Sequence, residues 1–251
     1  MSGALFEYLC RLGDDRLVLG HRLSEWCGHG PILEEDIALT NFALDLLGQA
    51  SSLLRLAGTV EGLGRDEDAL AFWREAVEFR NTRLVELPIG DFGFTMARQF
   101  LFDAYSVHLM AELVNSTHPE LAALAARALK EDRYHLRHSA QWVVRLGDGT
   151  EASHQRMALG FEECWRFTAE LFTPDEVDHE LLREGIAPDL ARVQERWSET
   201  VAKTLQQATL GPVPQFSAPP PGIGRGSHTE YLGHLLAVMQ STARAHPGAK
   251  W

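Results

Sequence analysis

Four long stretches of this sequence repeat apolar residues every three to four positions, and Gly- or Pro-containing breaks separate them, a pattern that packed helices satisfy. The first runs from Ala4 to Cys27, with Tyr8, Leu12, Leu19, Leu23 and Trp26 at helical spacing, and Gly28, Gly30 and Pro31 end it. The second runs from Leu33 to about Ala57 and stops in the region of Gly58, Gly62 and Gly64. A third covers about Phe94 to Asn115, after the break from Pro88 to Gly93. After a short turn from Ser116 to Pro119, the fourth runs from Glu120 to Leu146. It aligns Leu121, Ala125, Ala128, His135, Ser139, Trp142 and Leu146 on one stripe. No segment alternates with period two, so a sheet is not expected. Two antiparallel pairs joined by one long crossover predict an all-α, ferritin-like four-helix bundle. The crossover itself is read as holding a shorter helix from Glu67 to Arg83.

With 251 residues and 45% hydrophobic content, the chain is read as a single domain spanning 1–251. The bundle occupies about 4–147 and a C-terminal helical extension about 153–251. In the extension, helices are expected from Ser153 to Phe172, from Pro188 to Leu210 and from Thr229 to Arg244. Between the last two lies a loop from Gly211 to Gly226 with five prolines and four glycines. Acidic residues after Thr173 and Pro174 are read as irregular.

Composition excludes several classes of function. The three cysteines share no CxxC spacing, which argues against a disulfide framework or structural zinc and for a reducing cytoplasm. The N-terminus lacks the apolar run of a secretory signal, and no window is read as a membrane span. A net charge of −12 disfavours nucleic acid. Arg127, Lys130, Arg133 and Arg137 form the one dense basic stretch, with Glu131 and Asp132 among them. It reads as a solvated helix face, with binding to phosphates or an acidic partner as the alternative. There is no Gly-x-Ser-x-Gly elbow and no Walker loop. Gly222, Gly224 and Gly226 follow three prolines rather than a strand and read as a turn. Trp165, Phe167 and Phe172 read as core.

A di-iron carboxylate bundle takes one Glu or Asp from each of two helices and a Glu-x-x-His pair from each of the other two, because residues three apart share a helix face. The pairs should fall on the second and fourth helices. There, Asp45 is followed three residues on by Gly48, and Glu131 by Tyr134, so both imidazoles are missing at these positions. The third helix offers Asp103, and the first Asp14 and Asp15. Acid-x-x-His strings occur at Asp132 to His135, Glu151 to His154 and Glu176 to His179, the last two in or beside expected loops. Asp132 with His135 is the rival pair on the fourth helix. Two readings stand: Asp45, Asp103, Glu131 and His135 are ordinary polar residues, or they mark a vestigial metal site whose carboxylates are offset by His135 or a nearby Arg.

The sequence resembles a known family, the structural C subunit of the bacterial phenylacetyl-CoA epoxygenase, over nearly its whole length. The likeness rests on Arg11-Leu-Gly-Asp14, Glu25-Trp-Cys-Gly-His29, Asp45-Leu-Leu-Gly-Gln-Ala50 and Arg133-Tyr-His-Leu-Arg137. It continues in Trp165-Arg-Phe-Thr-Ala-Glu-Leu-Phe172, Glu184-Gly-Ile186, His228-Thr-Glu230 with Leu232-Gly233, and the terminal Trp251. The resemblance implies a ferritin-like, inactive paralogue with no metal or cofactor of its own. It also implies a catalytic partner that carries the di-iron centre, further subunits of the same complex, and a separate reductase that uses NADPH. The complex would epoxidise the aromatic ring of phenylacetyl-CoA. An active di-metal oxidase and a helical binding module are the alternatives. On the second helix, Leu39, Ala43, Leu46, Ala50, Leu53 and Ala57 form one apolar stripe and Ile37, Leu44, Leu47 and Leu54 a second. The first, with Leu39, Leu46, Ala50 and Leu53, is expected to meet either the partner or the chain's own C-terminal helices.

Overall fold

The computed structural model describes residues 2–212 and 224–249, so most of the Pro/Gly-rich loop and the terminal Trp251 lie outside the described residues. Among the described residues all regular structure is helical. The α-helices are α1 (Ser2–Ser24), α2 (Leu33–Glu61), α3 (Glu67–Phe72), α4 (Arg83–Glu86), α5 (Phe92–Leu113), α6 (Pro119–Gly147), α7 (Glu151–Trp165), α8 (Glu176–Arg183), α9 (Leu190–Gln207), α10 (Glu230–Met239) and α11 (Ser241–Ala245). The chain divides into two compact units, 1–88 with 224–251 and 89–223. Residues of the expected C-terminal extension fall in both units.

In the first unit, α1 and α2 pack along their length. A Cβ at Gly13 would lie 2.8 Å from Leu54, and one at Gly20 would lie 3.2 Å from the Ala43 carbonyl, so the two helices run antiparallel and approach closely. Helix α2 continues through Gly58 and ends at Glu61, within the break expected over Gly58, Gly62 and Gly64. A Cβ at Gly58 would lie 2.0 Å from the Arg65 carbonyl oxygen, so this glycine serves the returning chain and does not end the helix. Gly62, with φ of 72°, caps the end instead. By length and composition alone α2 is long and apolar enough to cross a membrane, a test that packed core helices also pass. It is also an amphipathic packing helix, with 44% of its most apolar window buried.

The single helix expected over 67–83 is replaced by α3, a 3₁₀ turn at Ala76–Glu78 and α4. The physical reason lies in α1. Its buried Asp14 and Asp15 accept the Arg80 amide at 2.8 Å and the Thr82 amide at 2.7 Å, which draws those backbone donors away from a helical ladder. Arg74 lies buried between Asp14 and the Phe79 ring.

The C-terminal residues return to this unit through polar staples. Arg225 meets Asp15 at 2.8 Å. Glu86, fully buried, accepts from Asn81, from the Thr229 amide and from His228, the last at 2.6 Å. Gln240 donates to the carbonyls of Ala71 and Arg74, both at 3.0 Å.

In the second unit α5 is the central helix: every residue over 95–106 is buried, as expected of a helix covered on all sides. Helices α6, α7 and α9 pack on it. Asp103 pairs with Ser139 and Ser106 with Asp132, which fixes α5 and α6 as antiparallel. Trp197 donates to the Leu101 carbonyl at 2.9 Å and stacks near Trp165 and Phe172. Of the three aromatics read as core, Trp165 and Phe172 are buried and Phe167 is half-buried under Arg166. Helix α8, not expected from the sequence, starts from a capping box between Asp175 and Asp178. Glu176 and His179 therefore lie on a helix, as do Glu151 and His154 at the start of α7, and not in loops.

Candidate functional site

The inward register of each long helix follows from its apolar stripe, and each stripe contains polar residues. On α6 the buried positions run Leu121, Ala125, Ala128, Asp132, His135 and Ser139. Asp132 and His135 are 2% and 1% exposed, whereas Tyr134 is 48% exposed and Glu131 is half-buried beside Arg127 at 4.0 Å. Glu131 and Tyr134, expected at old ligand positions, are thus one residue, or about 100° of helix rotation, out of the buried register. The same shift holds on α2, where Leu39, Phe42, Leu46, Gln49 and Leu53 are buried. Asp45 is half-buried and Gly48 is exposed, with open space around a Cβ built there. Gly48 and Tyr134 therefore do not replace lost imidazoles. The buried pairs are Leu46-x-x-Gln49 on α2 and Asp132-x-x-His135 on α6.

The polar cluster of the second unit is closely hydrogen-bonded. Asp103 accepts from Ser139 at 2.7 Å and from Gln99 at 2.7 Å, and Asp132 accepts from Ser106 at 2.6 Å. Burial pushes the Asp103 carboxyl up to about 7, and the nearby Asp132 charge adds to the rise. His135 and the bonds from Ser139 and Gln99 act against it. Near neutral pH this group therefore exchanges between a neutral acid and a carboxylate, held in place by two donors either way.

The buried polar pair of the first unit is not among the residues expected from the sequence. Arg16, 1% exposed, stands on the α1 stripe of Leu9, Leu12, Leu19 and Leu23. Its Nε donates to Gln49 Oε1 at 2.7 Å, and a second nitrogen donates to the Leu12 carbonyl at 3.1 Å. A charged residue at helical spacing inside an apolar stripe was the signal for it. Asp14 and Asp15, the carboxylates that the first helix offers, are committed to Arg74, Thr82 and Arg225.

This set does not fit a dinuclear carboxylate centre. In the second unit α5 and α6 bury Asp103, Asp132 and His135; in the first unit the Leu46-x-x-Gln49 pair of α2 offers no Glu-x-x-His ligands, its neighbour on α1 is the Arg16 guanidinium, and Asp14 and Asp15 are committed elsewhere. Among the described residues no group of three or more His, Cys, Asp and Glu side chains is arranged to hold a metal ion.

The first apolar stripe of α2 does not face a partner. Leu39, Leu46, Ala50 and Leu53 are 0–4% exposed within this chain, because α1 packs along α2. The second stripe is divided: Leu54 is buried and Leu47 half-buried, while Ile37 and Leu44 are exposed.

These features define an all-α chain whose long helices carry buried polar residues within their apolar stripes. The chain belongs to the family described as phenylacetic acid catabolic protein, whose model matches residues 1–251, and the family is ferritin-like. It is 50% identical, over 98% of its length and 99% of the relative's, to the C subunit of 1,2-phenylacetyl-CoA epoxidase from Escherichia coli strain K12.

Proposed function

We propose that this chain is a non-catalytic structural subunit of a multicomponent di-iron monooxygenase that epoxidises the aromatic ring of phenylacetyl-CoA in aerobic phenylacetate degradation. The di-iron centre belongs to a catalytic partner, and a separate reductase takes electrons from NADPH. The likeness to the C subunit of an epoxidase over the full chain supports the complex and the pathway. The observation that carries the non-catalytic reading is the Arg16–Gln49 pair: a permanently charged guanidinium bonded to an amide cannot ligate iron and disfavours a second cation beside it. Three free cysteines, two of them buried, agree with a reducing cytoplasm as its location.

A second reading, an active di-metal oxidase, draws on Asp103, Asp132 and His135 but requires further ligands, and the α1 carboxylates Asp14 and Asp15 are committed to Arg74, Thr82 and Arg225. Asp103→Asn separates the two. In the assembled complex this variant should retain NADPH-dependent epoxidation of phenylacetyl-CoA within about twofold, since amide and acid share shape and one acceptor. Loss of an iron ligand would instead abolish turnover, a fall of several orders of magnitude on the scale of removed catalytic groups. Such a fall in a complex that keeps all its subunits would overturn the structural reading.

A further inference from the structure

A row of cations runs along the exposed side of α6. Arg127, Lys130, Arg133, Arg137 and Arg145 are all exposed. Lys130, Tyr134, Arg137, Gln141 and Arg145 follow one ridge at spacings of three and four, with Arg127 and Arg133 on its flanks. From Arg127 to Arg145 the row spans roughly 27 Å at about 1.5 Å per residue. Glu131 lies beside it and pairs loosely with Arg127 at 4.0 Å, and Asp148 lies beyond its C-terminal end. Among the described residues no carboxylate pairs with Lys130, Arg133, Arg137 or Arg145. Arg137 and Arg145 instead cover the rings of Tyr134 and Trp142 at 5.3 and 4.7 Å.

In a chain of net charge −12, four cations left without counter-ions on one helix face stand against the composition. Between Arg137 and Arg145 a groove of about 570 Å³ has an apolar floor of Ala140 and Val144, with the amides of Gln141 and Gln207 at its sides.

We propose that this face of α6 is a docking surface for an acidic segment of another subunit of the same complex, aligned by the cation row and anchored by an apolar side chain in the groove. The inference rests on the reading of the chain as a subunit. Charge complementarity supplies orientation and association rate, and Arg with Tyr and Trp are the residue types that concentrate binding energy at protein contacts. A nucleic acid fits less well, because its charge continues past the row, toward Asp148, in a chain of net charge −12. An acidic segment ends where the row ends.

The test compares wild type, the row variant Arg133→Glu/Arg137→Glu, and a control, Arg156→Glu/Arg192→Glu, whose arginines are 70% and 72% exposed elsewhere in the same unit. Circular dichroism verifies that each is folded. Fluorescently labelled poly-L-glutamate is titrated at low salt, and the subunits that co-purify with each protein are eluted on a salt gradient. The row variant should bind polyglutamate about tenfold or more weakly, a loss of roughly 1.4 kcal/mol or more. It should also release its partner at lower salt, with the control like wild type. Equal retention of the partner by the row and control variants overturns the proposal and leaves the reading as a subunit intact. If no other protein co-purifies even with wild type, the reading as a subunit fails and the proposal falls with it. Tighter binding of single-stranded DNA than of polyglutamate, lost in the row variant, overturns it in favour of nucleic acid.

Discussion

Asp103→Asn should make the protein more stable at pH 8 than wild type by a margin that shrinks steadily as the pH is lowered toward 4. The cause is the burial that raises the Asp103 carboxyl to about 7. With an unfolded value near 3.8, the unfolded chain ionises this group over a range where the folded chain keeps it protonated. A raised folded value means that the group costs nothing below about pH 4. Stability is then lost through it as the pH rises to about 7, with no further loss above. Three pH units at about 1.36 kcal/mol each give a penalty on the order of 4 kcal/mol, or roughly 10 °C in melting temperature for a chain of this size. Asn keeps an acceptor for Ser139 or Gln99 but leaves an amide N–H₂ to place, so a constant offset is expected. The measurement is therefore the difference between the two melting temperatures across pH 4–8. A difference flat with pH would show that Asp103 ionises in the fold as readily as in water.

Arg74→Met should cost about 3–5 kcal/mol, the range for removing one partner of a buried ion pair. Arg74 is 3% exposed and Asp14 is fully buried, and the guanidinium bonds both carboxylate oxygens of Asp14 as well as the carbonyls of Leu70 and Glu78. Burial raises the Asp14 carboxyl, and Arg74 is the largest influence holding it down. Without Arg74 the carboxylate keeps only the Arg80 amide, at 2.8 Å, among these bonds. The loss should therefore be smaller in acid, where Asp14 is neutral, and the double variant Asp14→Asn/Arg74→Met should recover much of it. Chemical denaturation of the two single variants and the double variant decides this. Additive losses would mean that the pair is not coupled.

The fold class was legible because the apolar period is long and unbroken in α1, α2, α5 and α6. The crossover was not, because its conformation is set by acceptors far away in sequence: Asp14 and Asp15 take the amides of Arg80 and Thr82, and no local pattern announces that. Helix α2 runs on past Gly58, whose role is to let the Arg65 carbonyl approach and not to break the helix. On α2 and α6 the buried polar positions lie one residue on from those that ligand spacing gives. Counting three forward from Asp45 and Glu131 leads to Gly48 and Tyr134, which lie off the buried face. Following the apolar stripe leads instead to Asp132, His135 and Gln49, and exposes Arg16 as a cation inside an apolar seam. The burial of Asp103 could not be graded from sequence, since α5 is buried on all sides over 95–106 and has no outward face there to contrast with.

The central claim is that the iron chemistry belongs to a partner, and the iron content of this chain purified by itself tests it most directly. Expressed with iron supplied and measured by elemental analysis, the protein should contain far less than one iron per chain, because among the described residues no group of three or more His, Cys, Asp and Glu side chains is arranged to hold a metal ion. Two irons per chain, retained through dialysis against a chelator and lost on replacing Asp132 and His135, would contradict the account.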